Sequence, residues 1–293
     1  MSVLGAPQVT PDGVFALVRF LSLHEGEVTN EEVVRWMSLA TGSSAVSGSA
    51  EPLPDRINTL RAQSAALGLM SDSAWRLTQA APKDMEEFGD ALHAAFVSAE
   101  GQREVLDTYA SLVVEVEMMG PGFLRAEAKK IIDTLRDRVQ RKDEAGNSGN
   151  FNSTKWPAWV RWMTAMGLGF PGPRSIPFLP HPVQRLTRVV RGLPGLRDGG
   201  EMAAEDFLTA VGRAMPYVDR GGRYRSAWSR VQDTDSLRPV SHVLSSALRD
   251  LHRRKVLELR YAGGDRAGAR TLSEDGSTPE VFASVRIGSG EVS

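Results

Sequence analysis

Cysteine is absent from the 293 residues, which excludes a disulfide framework, a thiol nucleophile and a zinc–cysteine site. No apolar run approaches the roughly 20 residues that a membrane helix needs. Residues 1–10 lack a basic stretch followed by an apolar core, so no secretory signal is expected and the chain is placed in the cytoplasm. A Gly-rich loop ending in Gly-Lys-Ser/Thr is missing, which argues against an ATPase or helicase core. There is no nucleophile elbow and no helix with two metal-spaced histidines. The five histidines, His24, His93, His181, His242 and His252, are scattered. The chain is therefore expected to be no enzyme and to hold no cofactor or metal.

Lysine is also scarce, with 6 residues against 29 arginines. A GC-rich genome would explain arginine replacing lysine. It would not explain the distribution of acids. Residues 1–150 hold 14 basic and 22 acidic side chains, whereas residues 151–260 hold 18 basic and 9 acidic. Such asymmetry within a chain of net charge -1 points to a nucleic-acid partner for the basic part.

Hydrophobic periodicity divides the chain into three segments. Residues 1–81 read as a winged-helix domain, residues 82–150 as a helical segment, and residues 151–293 as a basic region with winged-helix-like units. In the first, Val14, Leu17, Val18 and Leu21 share a helical face, and Thr29 with Glu32 forms a capping-box pattern. A Gly/Ser-rich loop covers residues 41–50. A third helix then closes on Leu67-Gly68-Leu69, and Ser71-Asp72-Ser73 leads to Trp75-Arg76-Leu77-Thr78. A helix, a left-handed glycine cap and a short hairpin make a wing. Arg56, Asn58, Thr59, Arg61 and Gln63 of that helix are residue types that can contact bases or phosphates. With 5 basic against 8 acidic residues in positions 1–80, a protein partner is favoured there over DNA.

The second segment carries three helices, with acidic residues such as Glu115 and Glu117 read as solvated faces rather than a metal pair, since residues two apart do not face one another. Residues 143–152 read as a linker. In the third segment Trp156, Trp159 and Trp162 form a stripe better suited to a core than to base stacking, and Gly167-Leu168-Gly169 repeats the helix-to-strand punctuation. The stretch Tyr217-Val218-Asp219-Arg220-Gly221-Gly222-Arg223-Tyr224 is either a phosphate clamp or a surface loop around a fixed aspartate. Residues 241–255 read as another terminal helix, with Val243, Leu244, Ala247, Leu248 and Leu251 inside and Ser245, Arg249, His252, Arg253 and Arg254 outside. Residues 256–259 and 270–272 would supply its hairpin, with the turn in residues 265–268. The candidate DNA contacts are thus Arg220, Arg223, Arg225, Arg249, Arg253, Arg254 and Lys255. The fold class is mainly α with small β-hairpins (α+β), as tandem winged-helix units joined by a helical middle.

The segments Trp159-Val160-Arg161-Trp162 with Gly167-Leu168, Phe207-Leu208 with residues 215–224, and Ser241 with Leu248-Arg249-Asp250-Leu251 resemble the DpdG component of the bacterial dpd island. That island inserts 7-deazapurines into DNA and restricts unmodified DNA. The resemblance implies an accessory subunit of a phage-defence or modification–restriction system, with double-stranded DNA and other subunits of a multi-protein complex as partners. It assigns no catalytic residues. Other readings are a structural winged-helix subunit bridging a condensin-like motor, a transcriptional regulator, or a nuclease whose site motifs do not reveal.

Overall fold

The computed structural model describes residues 2–6, 8–24, 28–40, 53–71, 73–139, 151–173, 176–231, 239–261, 268–273 and 280–288. The loop at residues 41–50, most of the linker at residues 143–152 and most of the turn at residues 265–268 lie outside them. The architecture is mainly helical with small antiparallel sheets, and none of the described helices is long and apolar enough to cross a membrane. Contacts group the chain into two units, Met1–Val105 with Ser153–Met166, and Leu106–Asn152 with Gly167–Ser293. These boundaries differ from the three segments read along the sequence, because a helix at residues 156–165 belongs with the N-terminal unit.

In the first unit, α1 (Pro11–Ser22) starts where the Thr10 hydroxyl accepts the Gly13 amide at 3.1 Å and Pro11 presets the first helical φ. Val14, Leu17, Val18 and Leu21 are buried on one face, as the spacing requires. α2 (Asn30–Ala40) begins with the capping box: the Thr29 amide donates to Glu32 Oε2 at 2.8 Å and the Glu32 amide donates to Thr29 Oγ1 at 3.3 Å. Those bonds to the charged form, the backbone one first, hold the Glu32 carboxyl below its ordinary pKa.

α3 (Leu53–Ala66) ends at Gly68, whose φ of 69° no β-carbon would favour. The Leu69 amide returns to the Ser64 carbonyl, and Met70 then bridges Leu77. The hairpin is real but minimal. Gln63, read as a polar surface residue of α3, is fully buried instead. Its position on the helix turns it inward with Leu60 and Leu67, while Asn58 stays exposed.

α4 (Met85–Ser98) is capped by Asp84, which accepts the Glu86 and Glu87 amides. The first unit also takes the first turn of α5 (Arg103–Met119) and the tryptophan helix, α7 (Trp156–Ala165). Trp156 stacks on Trp159 at 5.1 Å, the Trp159 indole donates to the Val105 carbonyl at 2.9 Å, and Trp162 meets Phe96 at 5.6 Å. All three indoles are buried, so the stripe is core.

The second unit contains the rest of α5 and α6 (Ala128–Val139). Here the acidic faces depart from expectation. Glu115 is fully buried and accepts from Arg138 Nε at 2.5 Å, and half-buried Glu117 accepts the His242 amide at 2.9 Å. Helix packing, which spacing along one helix does not reveal, turned these carboxylates inward.

β1 (Gly169–Phe170) pairs antiparallel with β2 (Leu179–Pro180) ahead of α8 (Val183–Gly192). A 3-10 helix, Pro194–Gly199, leads to β3 (Glu201–Ala203), followed by α9 (Ala204–Ala214), α10 (Gly222–Trp228) and α11 (His242–Arg253). β4 (Leu257–Arg260) follows α11, then β5 (Arg270–Thr271), β6 (Val281–Phe282) and β7 (Ser284–Ile287).

The expected hairpin between residues 256–259 and 270–272 is not formed. β4 pairs with β7 in a sheet ordered β3-β7-β4, and β5 pairs with β6. Val285 and Leu259 give β7 and β4 a shared buried face, which fixes the register between them.

Candidate nucleic-acid interface

α11 organises the basic residues of the second unit. Its N-terminus is held by Asp219, a buried carboxylate that accepts the Ser241 amide at 3.0 Å and the Ser241 hydroxyl at 2.5 Å. Ser241 in turn caps the Leu244 amide. The aspartate of residues 217–224 is fixed as expected, but the stretch around it is largely buried and passes into α10 rather than forming a surface loop. Gly212 lets the loop approach: a β-carbon there would stand 2.6 Å from the Asp219 carbonyl oxygen.

Around that aspartate the arginines are engaged. Arg220, in the left-handed region at φ 65°, pairs with Glu205 at 3.0 Å, and Arg270 donates to the same carboxylate at 2.6 Å. Burial pulls the Glu205 pKa up, but the two guanidinium groups outweigh it and leave the carboxyl lowered. Arg223 donates to Asp107 at 2.8 Å and is largely covered. Arg225 is exposed.

Arg249 is a correction. It is 3% exposed, and its Nη2 donates to the Ser273 carbonyl at 2.9 Å. Ser245, also read as outward, is buried and bonded to the Val240 carbonyl and the Ser273 amide. The segment ending at Ser273 covers this side of α11, so Arg249 is a structural residue and not a surface contact. Periodicity along α11 alone could not show that a later segment lies there.

The C-terminal end of the helix is different. The Arg253 and Arg254 side chains are 70% and 60% exposed, and Lys255, with φ 56°, is exposed beyond them. Asp250 stands beneath, 2.9 Å from Arg254, 3.4 Å from Arg253 and 3.3 Å from His181 Nε2. Arg220 thus lies beside the capped start of α11 and Arg253, Arg254 and Lys255 lie at its other end, on a helix that at 12 residues spans roughly 18 Å. Three further arginines that the sequence reading passed over, Arg191, Arg197 and Arg286, line one cavity of this unit. The signal for the first was the arginine at every third residue of α8, at 185, 188 and 191.

The DpdG-like family profile matches residues 1–262. The chain belongs to the DpdG-like family. Membership points to a role in the dpd modification and defence system. No curated protein and no solved structure matches the chain.

Proposed function

We propose that this DpdG-like chain is a non-enzymatic accessory subunit that holds double-stranded DNA through the exposed end of α11 and binds partner subunits of a defence complex through residues 1–81. The observation that carries the reading is the run Arg253-Arg254-Lys255, exposed at a helix end inside the region where bases outnumber acids by two to one. Exposed cations of this kind neutralise phosphates without reading sequence. Arg225 is a further exposed candidate, whereas Arg220 and Arg223 are tied to carboxylates and would serve only after giving those up. Three helices followed by a one-bridge hairpin support a winged-helix module in residues 1–81, and its acidic balance supports a protein partner.

The experiment is the salt dependence of duplex binding by the full chain and by a triple variant, Arg253→Ala, Arg254→Ala, Lys255→Ala. Each phosphate contact contributes roughly -0.9 to the log–log slope, so the variant should bind all duplexes more weakly, with a slope flatter by about two to three units. An unchanged affinity and slope would remove α11 as the contact. Magnesium- or manganese-dependent cleavage of DNA that disappears in a point variant would overturn the non-enzymatic part.

A further inference from the structure

The second unit contains a cavity of about 680 Å³ that none of the seven sequence-chosen cations lines. Its walls come from the last turn of α8, the 3-10 helix Pro194–Gly199, and the strands β4 and β7. The exposed side chains of Arg191, Arg197 and Arg286 line it, with exposed Glu258 as the carboxylate of the lining and Leu196 and Ile287 as apolar surface. Among the described residues, neither Arg191 nor Arg197 has an ion-pair partner. Arg286 sits on the middle strand, opposite Glu201 on one side and Glu258 on the other. Glu201 is engaged by Arg260 at 2.9 Å and by the Ser284 hydroxyl and also lies within electrostatic reach of Arg286, which lines the cavity together with Glu258.

Three guanidinium groups around one opening repel one another, and a polyanion relieves that repulsion. The volume lies within the roughly 300–1,000 Å³ of small-molecule sites. The planar guanidinium fork matches two oxygens of a phosphate, and three forks exceed what one carboxylate in the lining can neutralise. Glu258 adds an acceptor beside the cations, suited to a sugar hydroxyl or a base amino group. The rim also meets the end of α11: the Gly288 amide donates to the Val256 carbonyl at 3.0 Å, and a β-carbon at Gly288 would overlap the Lys255 carbonyl.

We infer that this cavity binds the phosphate ester of a nucleotide, free or carried at the end of a nucleic-acid strand, through Arg191, Arg197 and Arg286. The inference deepens the DNA-facing reading of this unit, but it rests on different residues.

The test is calorimetric titration of the full chain with ATP, and with a single-stranded oligonucleotide bearing a 5′-phosphate or a 5′-hydroxyl. The variant Arg197→Ala, Arg286→Ala should weaken whichever phosphate probe binds by tenfold or more. The triple variant at 253–255 should bind that probe like the parent. Binding of ATP assigns a free nucleotide, and preference for the 5′-phosphate strand assigns a strand end. Glu258→Gln should tighten pyrophosphate several-fold, a gain that misfolding cannot produce. Binding of neither probe, equal binding by parent and double variant, or displacement by polyglutamate as effective as by nucleotide would overturn the inference. Duplex binding lost in the triple variant, with no phosphate probe bound by the parent, would leave the proposed function standing while the cavity inference fails, and nucleotide binding without duplex binding would do the reverse.

Discussion

α3 and α11 invite comparison, because both read as terminal helices followed by a hairpin, and both bury a polar residue that the sequence places outside. Gln63 is fully buried on α3 and Arg249 is 3% exposed on α11. Their ends differ. α3 stops on a glycine at φ 69° and passes into a single bridge, while α11 stops on Arg254 and Lys255, the latter a lysine at φ 56°, before a strand that joins a three-stranded sheet. α11 is also fastened at both ends, by Asp219 at its start and by the contact of its own Asp250 with His181 near its finish. The contrast teaches that a strained, non-glycine cap survives where neighbouring structure over-determines the backbone. In that position a long cation is held out into solvent.

The largest expected effect concerns the buried polar pair. Arg249→Ala should destabilise the second unit by about 2–4 kcal/mol, since it opens a void and strands the Ser273 carbonyl without its charged donor. Arg253→Ala should stay within about 0.5 kcal/mol. Chemical denaturation checks both; equal, small losses would mean that Arg249 is not structural and that the two helix faces are interchangeable.

A pH difference between the regions follows next. Burial raises the pKa of Tyr109 and of Tyr217 well above the ordinary tyrosine value, and the two rings meet edge-on at 5.1 Å. A raised folded pKa means that the unfolded chain ionises first, so this stability is complete below pH 10 and is lost as pH rises above it. At pH 11 each tyrosine should cost roughly 1.4 kcal/mol. Residues 1–80 contain no tyrosine, so the loss should fall on the second unit. Of the four tyrosines, absorbance titration at 295 nm should show at least two phenols ionising only on unfolding; more than two phenols titrating near pH 10 in the folded chain would contradict the burial argument.

Removing the fastening at the start of α11 should matter somewhat less. Asp219→Ala strips the Ser241 amide and hydroxyl of their acceptor and should cost about 2 kcal/mol. Loss of hydrogen-exchange protection at the first turn of α11 would be its signature, and unchanged protection there would deny Asp219 that role. The smallest and most pointed contrast is at the C-terminal ends. Gly68→Ala should destabilise by about 1 kcal/mol, and Lys255→Gly should stabilise by up to about 1 kcal/mol by removing the β-carbon strain. Thermal melts that gave both changes the same sign would break the comparison of the two caps.

The sequence by itself determined what depends on near neighbours. Apolar spacing located the longer helices though not α10, the Thr29–Glu32 spacing specified a capping box, Gly68 marked a helix end, and the tryptophans at residues 156, 159 and 162 declared a core. The segments at 159–168, 207–224 and 241–251 carried enough of the family pattern for the DpdG-like assignment. Each of those signals is local, set by rotation per residue and backbone preference. Tertiary structure decided the rest. Whether Arg249 met water or the Ser273 carbonyl depended on a segment two dozen residues away. Whether Glu115 was solvated depended on Arg138 from another helix, and whether β4 paired with β5 or β7 depended on which strand shared its buried face. The cavity lined by Arg191, Arg197 and Arg286 was invisible for the same reason. Its arginines lie up to 95 positions apart in sequence, and only packing brings charges separated along a chain to one opening.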